Sequence, residues 1–217
     1  MLCREGELSA TAQRLLDRAR DRGIEVHRES EREMRRMSSA DEAPELLALE
    51  GAAPAGNIDE LMAAEGLVLV LAGLRYPGNV GFILRSAEVA GAAGVVLSSD
   101  WQGSQREEAM RIGIRADRFL PIFDADVRDA IGSARASGRR VVALETSGTK
   151  VPWQVDLSRP TAVLVGGETE GLSPALVEAA DDVVRIPSRG FMPSYNVQAA
   201  VGVLLGEWLR QDESPPR

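Results

Sequence analysis

Apolar residues follow two different rhythms along this chain. Residues 10–22 carry a helical pattern closed by Gly23, residues 23–27 read as a short strand, and residues 30–38 as a charged helix. Ser30 and Glu33 stand at capping-box spacing at the start of that helix. Residues 39–66 are rich in Ala, Gly, Pro and acidic side chains and read as a connection. From Gly66 onward short unbroken runs appear at 67–74, 94–98, 140–144, 161–166 and 182–187, with helical patterns at 80–90, 104–113, 127–137 and 174–180 between most of them. Brief Val/Leu runs alternating with helices predict an α/β fold whose parallel sheet is covered on both faces. Val197, Ala200, Val201, Leu204, Leu205, Trp208 and Leu209 form one stripe, which predicts a long amphipathic helix facing the sheet or a partner subunit. The division expected is a small N-terminal module and linker over 1–62 and a main domain over 63–217.

Composition narrows the chemistry. No apolar run reaches the roughly 20 residues a bilayer requires, and the first residues lack the apolar centre of a signal peptide. A soluble cytoplasmic protein is expected. Cys3 and His27 are the only residues of their types among 217, so zinc sites built on Cys and His and Ser-His-Asp triads lack their parts. No metal is expected. Cys3 cannot pair within the chain and is expected in a mobile terminus. The formal charge of −8 speaks against nucleic acid, but all cations except Lys150 are arginines, whose planar fork matches phosphate. A general arginine bias of the source explains this equally well, so only the placement of particular arginines carries weight.

Ligands of an α/β sheet gather at the carboxyl ends of its strands, and three loops there are candidates. The first runs from Arg75 to Ala87: Pro77-Gly78 makes a turn, Asn79 is suited to cap a helix beginning near Val80, and Arg85 falls near that helix's apolar stripe. The alternative is a capped helix with a surface arginine. The second, Gly166 to Pro174, surrounds Glu168 and Glu170 with glycines, freeing backbone groups for a ligand with cationic or hydroxyl groups. It is equally readable as a turn in which Ser173 caps a helix starting at Pro174. The third, Ile186 to Val197, is stiffened by Pro187, Gly190 and Pro193 and sets Ser194 and Asn196 at the mouth of the last helix. Phe191 and Met192 are expected to be covered by a ligand or a subunit. Neither a G-x-G-x-x-G nor a G-x-x-x-x-G-K-[ST] loop is present, which removes support for a dinucleotide oxidoreductase and for a P-loop ATPase.

Together these loops resemble the three motifs of the SpoU/TrmH family of RNA 2′-O-ribose methyltransferases, in the SPOUT superfamily. The resemblance spans residue 66 to the C-terminus. It rests on Pro77, Asn79, Gly81 and Arg85, on Gly166, Glu168, Gly171 and Leu172, and on Ile186, Pro187, Ser194, Asn196 and Val197. It implies a trefoil-knotted parallel-sheet domain, an exception to the rule against threaded chains. S-adenosylmethionine is then expected at Leu144, Gly166, Ile186 and Tyr195, and a homodimer through the C-terminal helix. Arg85, Asn79, Glu168, Ser194 and Asn196 would surround the reacting ribose hydroxyl. A guanidinium holds its proton above a pKa of about 12, so Arg85 is read as an anchor for phosphate and developing alkoxide, with a role as base left open.

The sequence departs from the family pattern at Tyr76, where many relatives carry an acid, at Tyr195, where leucine is usual, and at Gln198-Ala199, where a small polar pair is common. The N-terminal module resembles the later part of the small α/β RNA-binding domain that precedes many of these enzymes, and is expected to be truncated. Arg32 and Arg35, with Arg28 and Arg36, are candidate phosphate contacts there, although a charged helix is commonly a solvated face. Arg106, Arg111 and Arg115 are the candidates beside the active face. The expected substrate is structured RNA, rRNA ahead of tRNA. The competing reading is a catalytically silent RNA-binding or ribosome-assembly protein that retains the knot.

Overall fold

A computed structural model describes residues 1–38, 42–48, 56–101 and 103–212. The chain divides into two compact units, Met1–Ala53 and Pro54–Arg217.

The first unit contains β1 (Leu2–Arg4), α1 (Ala10–Asp21), β2 (His27–Glu29), α2 (Glu31–Arg36) and β3 (Leu46–Leu47). Its sheet runs β2-β1-β3, with β1 parallel to β2 and antiparallel to β3. Cys3 sits fully buried in β1, not in a mobile terminus, because strands on both sides enclose it. The strand expected over 23–27 begins only at His27. The amides of Gly23 and Ile24 are used to close α1 on the carbonyls of Arg20 and Ala19, with Gly23 at φ +72°, so they cannot join a ladder. Ser30 caps α2 as its spacing suggests, accepting from the Glu33 amide at 3.3 Å.

The second unit adds α3 (Ile58–Ala63), β4 (Leu67–Ala72), α4 (Pro77–Val89), β5 (Gly94–Ser98), α5 (Gly103–Ile112), β6 (Ile122–Asp124), α6 (Val127–Ala136), β7 (Arg140–Leu144), β8 (Thr161–Gly166), α7 (Pro174–Glu178), β9 (Asp182–Val184) and α8 (Val197–Asp212). All strand pairs are parallel, in the order β6-β5-β4-β8-β7-β9. Side chains alternate across a strand, and both faces are apolar here. Leu67, Leu69 and Leu71 enter one core with α4, α5 and α8, while Val68 and Val70 enter the other with α3 and α6. Val201, Leu204, Leu205 and Trp208 of α8 are buried in the first core, whereas Leu209, at the end of the predicted stripe, is exposed.

One buried cation joins elements that the sequence pattern left as a connection. Arg139 is 2 % exposed and donates to the carbonyls of Met62 (2.9 Å), Gly66 (2.6 Å), Thr161 (3.2 Å) and Ala64. It satisfies the open C-terminal carbonyls of α3 and ties them to the starts of β4 and β8. Burial lowers the Arg139 guanidinium from its usual value, only partly offset by Glu65, and so much carbonyl coordination is what makes a buried charge tolerable. Replacing Arg139 with Leu strands these carbonyls. The expected loss is about 2–4 kcal/mol of unfolding free energy in urea titration. Arg139→Lys should recover little of it, because an ammonium lacks the fork that reaches several carbonyls at once.

Candidate active site

Pro77 occupies the first position of α4, with Tyr76 as its cap. The helix therefore begins three residues before the expected start at Val80, and Asn79 lies inside its first turn rather than at its cap. This frees the Asn79 side chain. Its Nδ2 donates to Glu168 Oε1 at 2.8 Å, and its Oδ1 accepts from Asn196 Nδ2 at 3.1 Å. The direction is fixed by chemistry: a carboxylate only accepts, so Asn79 must offer it the amide nitrogen and leave its oxygen for Asn196. Asn196 Oδ1 in turn accepts from the Gln198 amide at 2.9 Å and caps α8. A single hydrogen-bonded line thus crosses all three candidate loops.

Glu168 is the hub of that line. It also accepts from the backbone amides of Arg75 (3.0 Å) and Tyr76 (3.2 Å). Burial by itself would raise the Glu168 carboxyl, but the hydrogen bonds from Arg75, Asn79, its own amide and Tyr76 outweigh it and hold the carboxyl below its ordinary value.

The glycine loop is built by close approach. A Cβ on Gly166 would lie 2.3 Å from the Gly171 carbonyl carbon, and one on Gly167 would lie 2.6 Å from the Gly73 oxygen. Gly171 has φ +65°, and a Cβ there would meet Glu145 Oε2 at 2.4 Å. Glu145 is a residue that the sequence reasoning missed. Its Oε2 accepts from the Leu172 amide at 2.9 Å and its Oε1 from the Thr146 amide at 2.7 Å, so it clasps the end of β7 to the glycine loop. Its signal was available: a carboxylate directly after a buried strand, at the end where ligands bind.

These loops enclose a cavity of about 590 Å³ at the carboxyl ends of β7, β8 and β9. Leu144, Gly166, Ile186 and Tyr195 line it, as do Glu168, Ser194 and Asn196. Asn79 stands one hydrogen bond behind the wall. Tyr195 closes its own loop by donating to the Pro187 carbonyl at 3.3 Å. Ser173 occupies the cap position of α7 without a side-chain cap bond.

Arg85 is not brought into this cavity. It lies in the third turn of α4, exposed, with no hydrogen bond or ion pair among the described residues. Arg106 is paired with Asp124 at 2.8 Å, Arg111 is exposed in the last turn of α5, and Arg115 takes a left-handed conformation (φ 57°) before a short 3-10 turn. In the first unit Arg35 pairs with Glu31 at 3.0 Å, while Arg32 is exposed on α2. Phe191 and Met192 are fully and largely exposed.

Residues 66–206 match the sequence model of the SpoU rRNA Methylase family. The chain belongs to that family. Its resemblance to SpoU relatives extends beyond the matched segment. Over 208 residues the chain is 31% identical to the 23S rRNA (adenosine(1067)-2'-O)-methyltransferase of Streptomyces laurentii, covering 94% of this chain and 76% of the relative. It is 34% identical over 146 residues to an uncharacterized tRNA/rRNA methyltransferase of Synechocystis sp., covering 67% of this chain and 53% of that protein. The crystal structure of the SpoU methyltransferase AviRb from Streptomyces viridochromogenes, in complex with the cofactor AdoMet, superposes with a TM-score of 0.65 at 27% identity, over 97% of this chain and 81% of AviRb. The chain spans between half and two thirds of the length of several curated relatives it matches.

The depressed Glu168 carboxyl gives a signed expectation. Its contribution to stability is complete above the ordinary carboxylate value and disappears as pH falls through the lowered one. Glu168→Gln should therefore melt below wild type at neutral pH, and the difference should shrink under acid conditions. Thermal unfolding over a pH series checks this; a gap that does not change with pH would show that the charge is not its source.

Proposed function

We propose that this SpoU-family chain is an S-adenosylmethionine-dependent methyltransferase acting on a ribose 2′-hydroxyl of structured RNA, with rRNA favoured over tRNA. The observation that carries this reading is the cavity in which three separate strand-end loops converge, joined through Glu168, Asn79 and Asn196. Its residues fit the methyl donor. Tightly packed glycines bring backbone amides and carbonyls to the surface, and Glu145, Glu168 and Glu170 against Arg185 favour a cationic ligand over a phosphate. S-adenosylmethionine, when bound, supplies a methyl group on a positively charged sulfur. Transfer would exchange that carbon–sulfur bond for a bond to the ribose oxygen, leaving the electron pair on a neutral thioether sulfur and the hydroxyl proton with solvent water.

Alignment supplies much of the rate in such a displacement, and the residues of the three loops are assigned that role. Leu144, Gly166, Ile186 and Tyr195 hold the donor. Glu168 and Asn79 fix the first loop against the second, and Ser194 and Asn196 order the third. Arg85, exposed beyond the wall, is assigned to the RNA: it anchors phosphate and stabilises the developing alkoxide. Arg106, Arg111 and Arg115 extend that contact.

The architecture proposed with this activity is a trefoil knot in the second unit, a homodimer through α8, and a cytoplasmic location with RNA as partner. Val203 and Leu209, exposed on α8, support the dimer. The first unit is proposed as a substrate-binding module, with Arg32 and Arg35 toward RNA. A silent RNA-binding protein is the second reading, favoured by Arg85 not being among the residues that line the cavity.

Two measurements separate these readings. Calorimetry should show binding of S-adenosylmethionine, and tritiated methyl should pass to ribosomal RNA as 2′-O-methyl nucleotides. Arg85→Ala should reduce transfer by about 100-fold or more with cofactor affinity unchanged. Transfer to no RNA pool, with cofactor still bound, would favour the silent protein.

A further inference from the structure

A second hollow, of about 370 Å³, lies beside the first. It opens between the carboxyl ends of β4, β5 and β8, and Gly167 to Gly171 form its wall on one side and the wall of the first cavity on the other. Its position in the sheet is informative. The chain runs outward from β4 through β5 to β6, while β7, β8 and β9 occupy the opposite half. The loops leaving β4 and β8 therefore diverge, and the crevice between such strands is where open α/β sheets take ligands.

The lining suits a flat, uncharged heteroaromatic group. Trp101 is half-buried there, and its Nε1 donates to the Leu74 carbonyl at 2.9 Å, which fixes the plane of the indole. Around it stand Arg75, whose only ion-pair contact among the described residues is a loose one to Glu170 at 3.9 Å, and the exposed Ser99 and Asp100. They supply donors and acceptors for a base edge. Asp100, Glu168 and Glu170 outnumber Arg75, so a phosphate is disfavoured inside.

Resting on the function proposed above, we propose that this second hollow receives the base of the nucleotide to be methylated, with Trp101 as its stacking face. Unstacked RNA bases are held in this way, on an aromatic side chain with polar groups at their edge. The ribose of a nucleotide seated there lies one glycosidic bond away, at the rim the two hollows share. Glu168, which lines both, would then fix the spacing between donor and acceptor sites.

The experiment uses the full chain, tritiated S-adenosylmethionine and purified ribosomal RNA, with Trp101→Ala and Trp101→Phe. Phe keeps a stacking face and loses the bond to Leu74, so it separates stacking from anchoring. Trp101→Ala is expected to raise KM for RNA about tenfold or more, and Trp101→Phe by no more than about threefold. Calorimetric affinity for S-adenosylmethionine should stay within about twofold of wild type in both. The inference is overturned if the Ala variant keeps its KM, if the Phe variant fails as badly as Ala, or if cofactor affinity falls in parallel. Should Trp101→Ala not fold, Trp101→Leu, which keeps apolar bulk without an aromatic face, takes its place with the same expectation. Wild-type protein that methylates neither ribosomal RNA nor any other RNA pool would remove the proposed activity and this inference together, whereas active wild type with an unaffected Ala variant removes only the inference.

Discussion

The carboxylate of Glu168 is the group on which the arrangement of the site depends. It gathers two backbone amides from the segment between β4 and α4 and one side-chain amide from the first turn of α4, and so binds the second candidate loop to the first. Asn79 passes the connection on to Asn196, whose oxygen starts α8. Each partner has a fixed polarity because the chain of donors ends on a group that can only accept. Residues 117 positions apart are thereby held in register by side chains alone.

That line is useful only because the sheet beneath it is rigid. Side chains alternating along its strands feed two separate cores, one with α4, α5 and α8 and the other with α3 and α6. Closely packed interiors resist local adjustment, so loops anchored at the strand ends inherit fixed starting points. The glycine loop adds its own constraint. Gly166 and Gly171 meet at distances that leave no room for a side chain, and Glu145 fills the space beneath Gly171. Backbone, not side chain, therefore forms much of the cavity wall.

The main strands were legible because continuous Val/Leu runs have few other uses in a chain of this composition. β5, β7 and β8 fall where the runs place them. Short elements were not: β3 has two residues and β6 three, too few for a period to be counted. α3 lay unseen because it has only six residues, too few to show a helical period, although Asn57 and Glu60 stand at capping spacing at its start, and its tie to Arg139, 77 residues from Met62, has no local sign. At the site, Glu168 of the second loop, Tyr195 of the third and Leu144 at the end of β7 all line the cavity. Asn79 has a different job from the helix cap its type and place suggested, because Pro77 had already started the helix. Glu145 and Trp101 were passed over, since neither belongs to a loop of unusual composition and their importance arises from contacts across the sheet.

Both margins of the large sheet are short. β6 and β9 have three residues each, and each carries an aspartate engaged by cations, Asp124 by Arg106 and Asp182 by Arg140 and Lys150. A foreign strand would find only a brief ladder there, interrupted by charge, so edgewise growth into fibres is discouraged. The broad parallel sheet, an aggregation hazard in its unfolded form, is thus closed off at the sides by features too small to matter for the core.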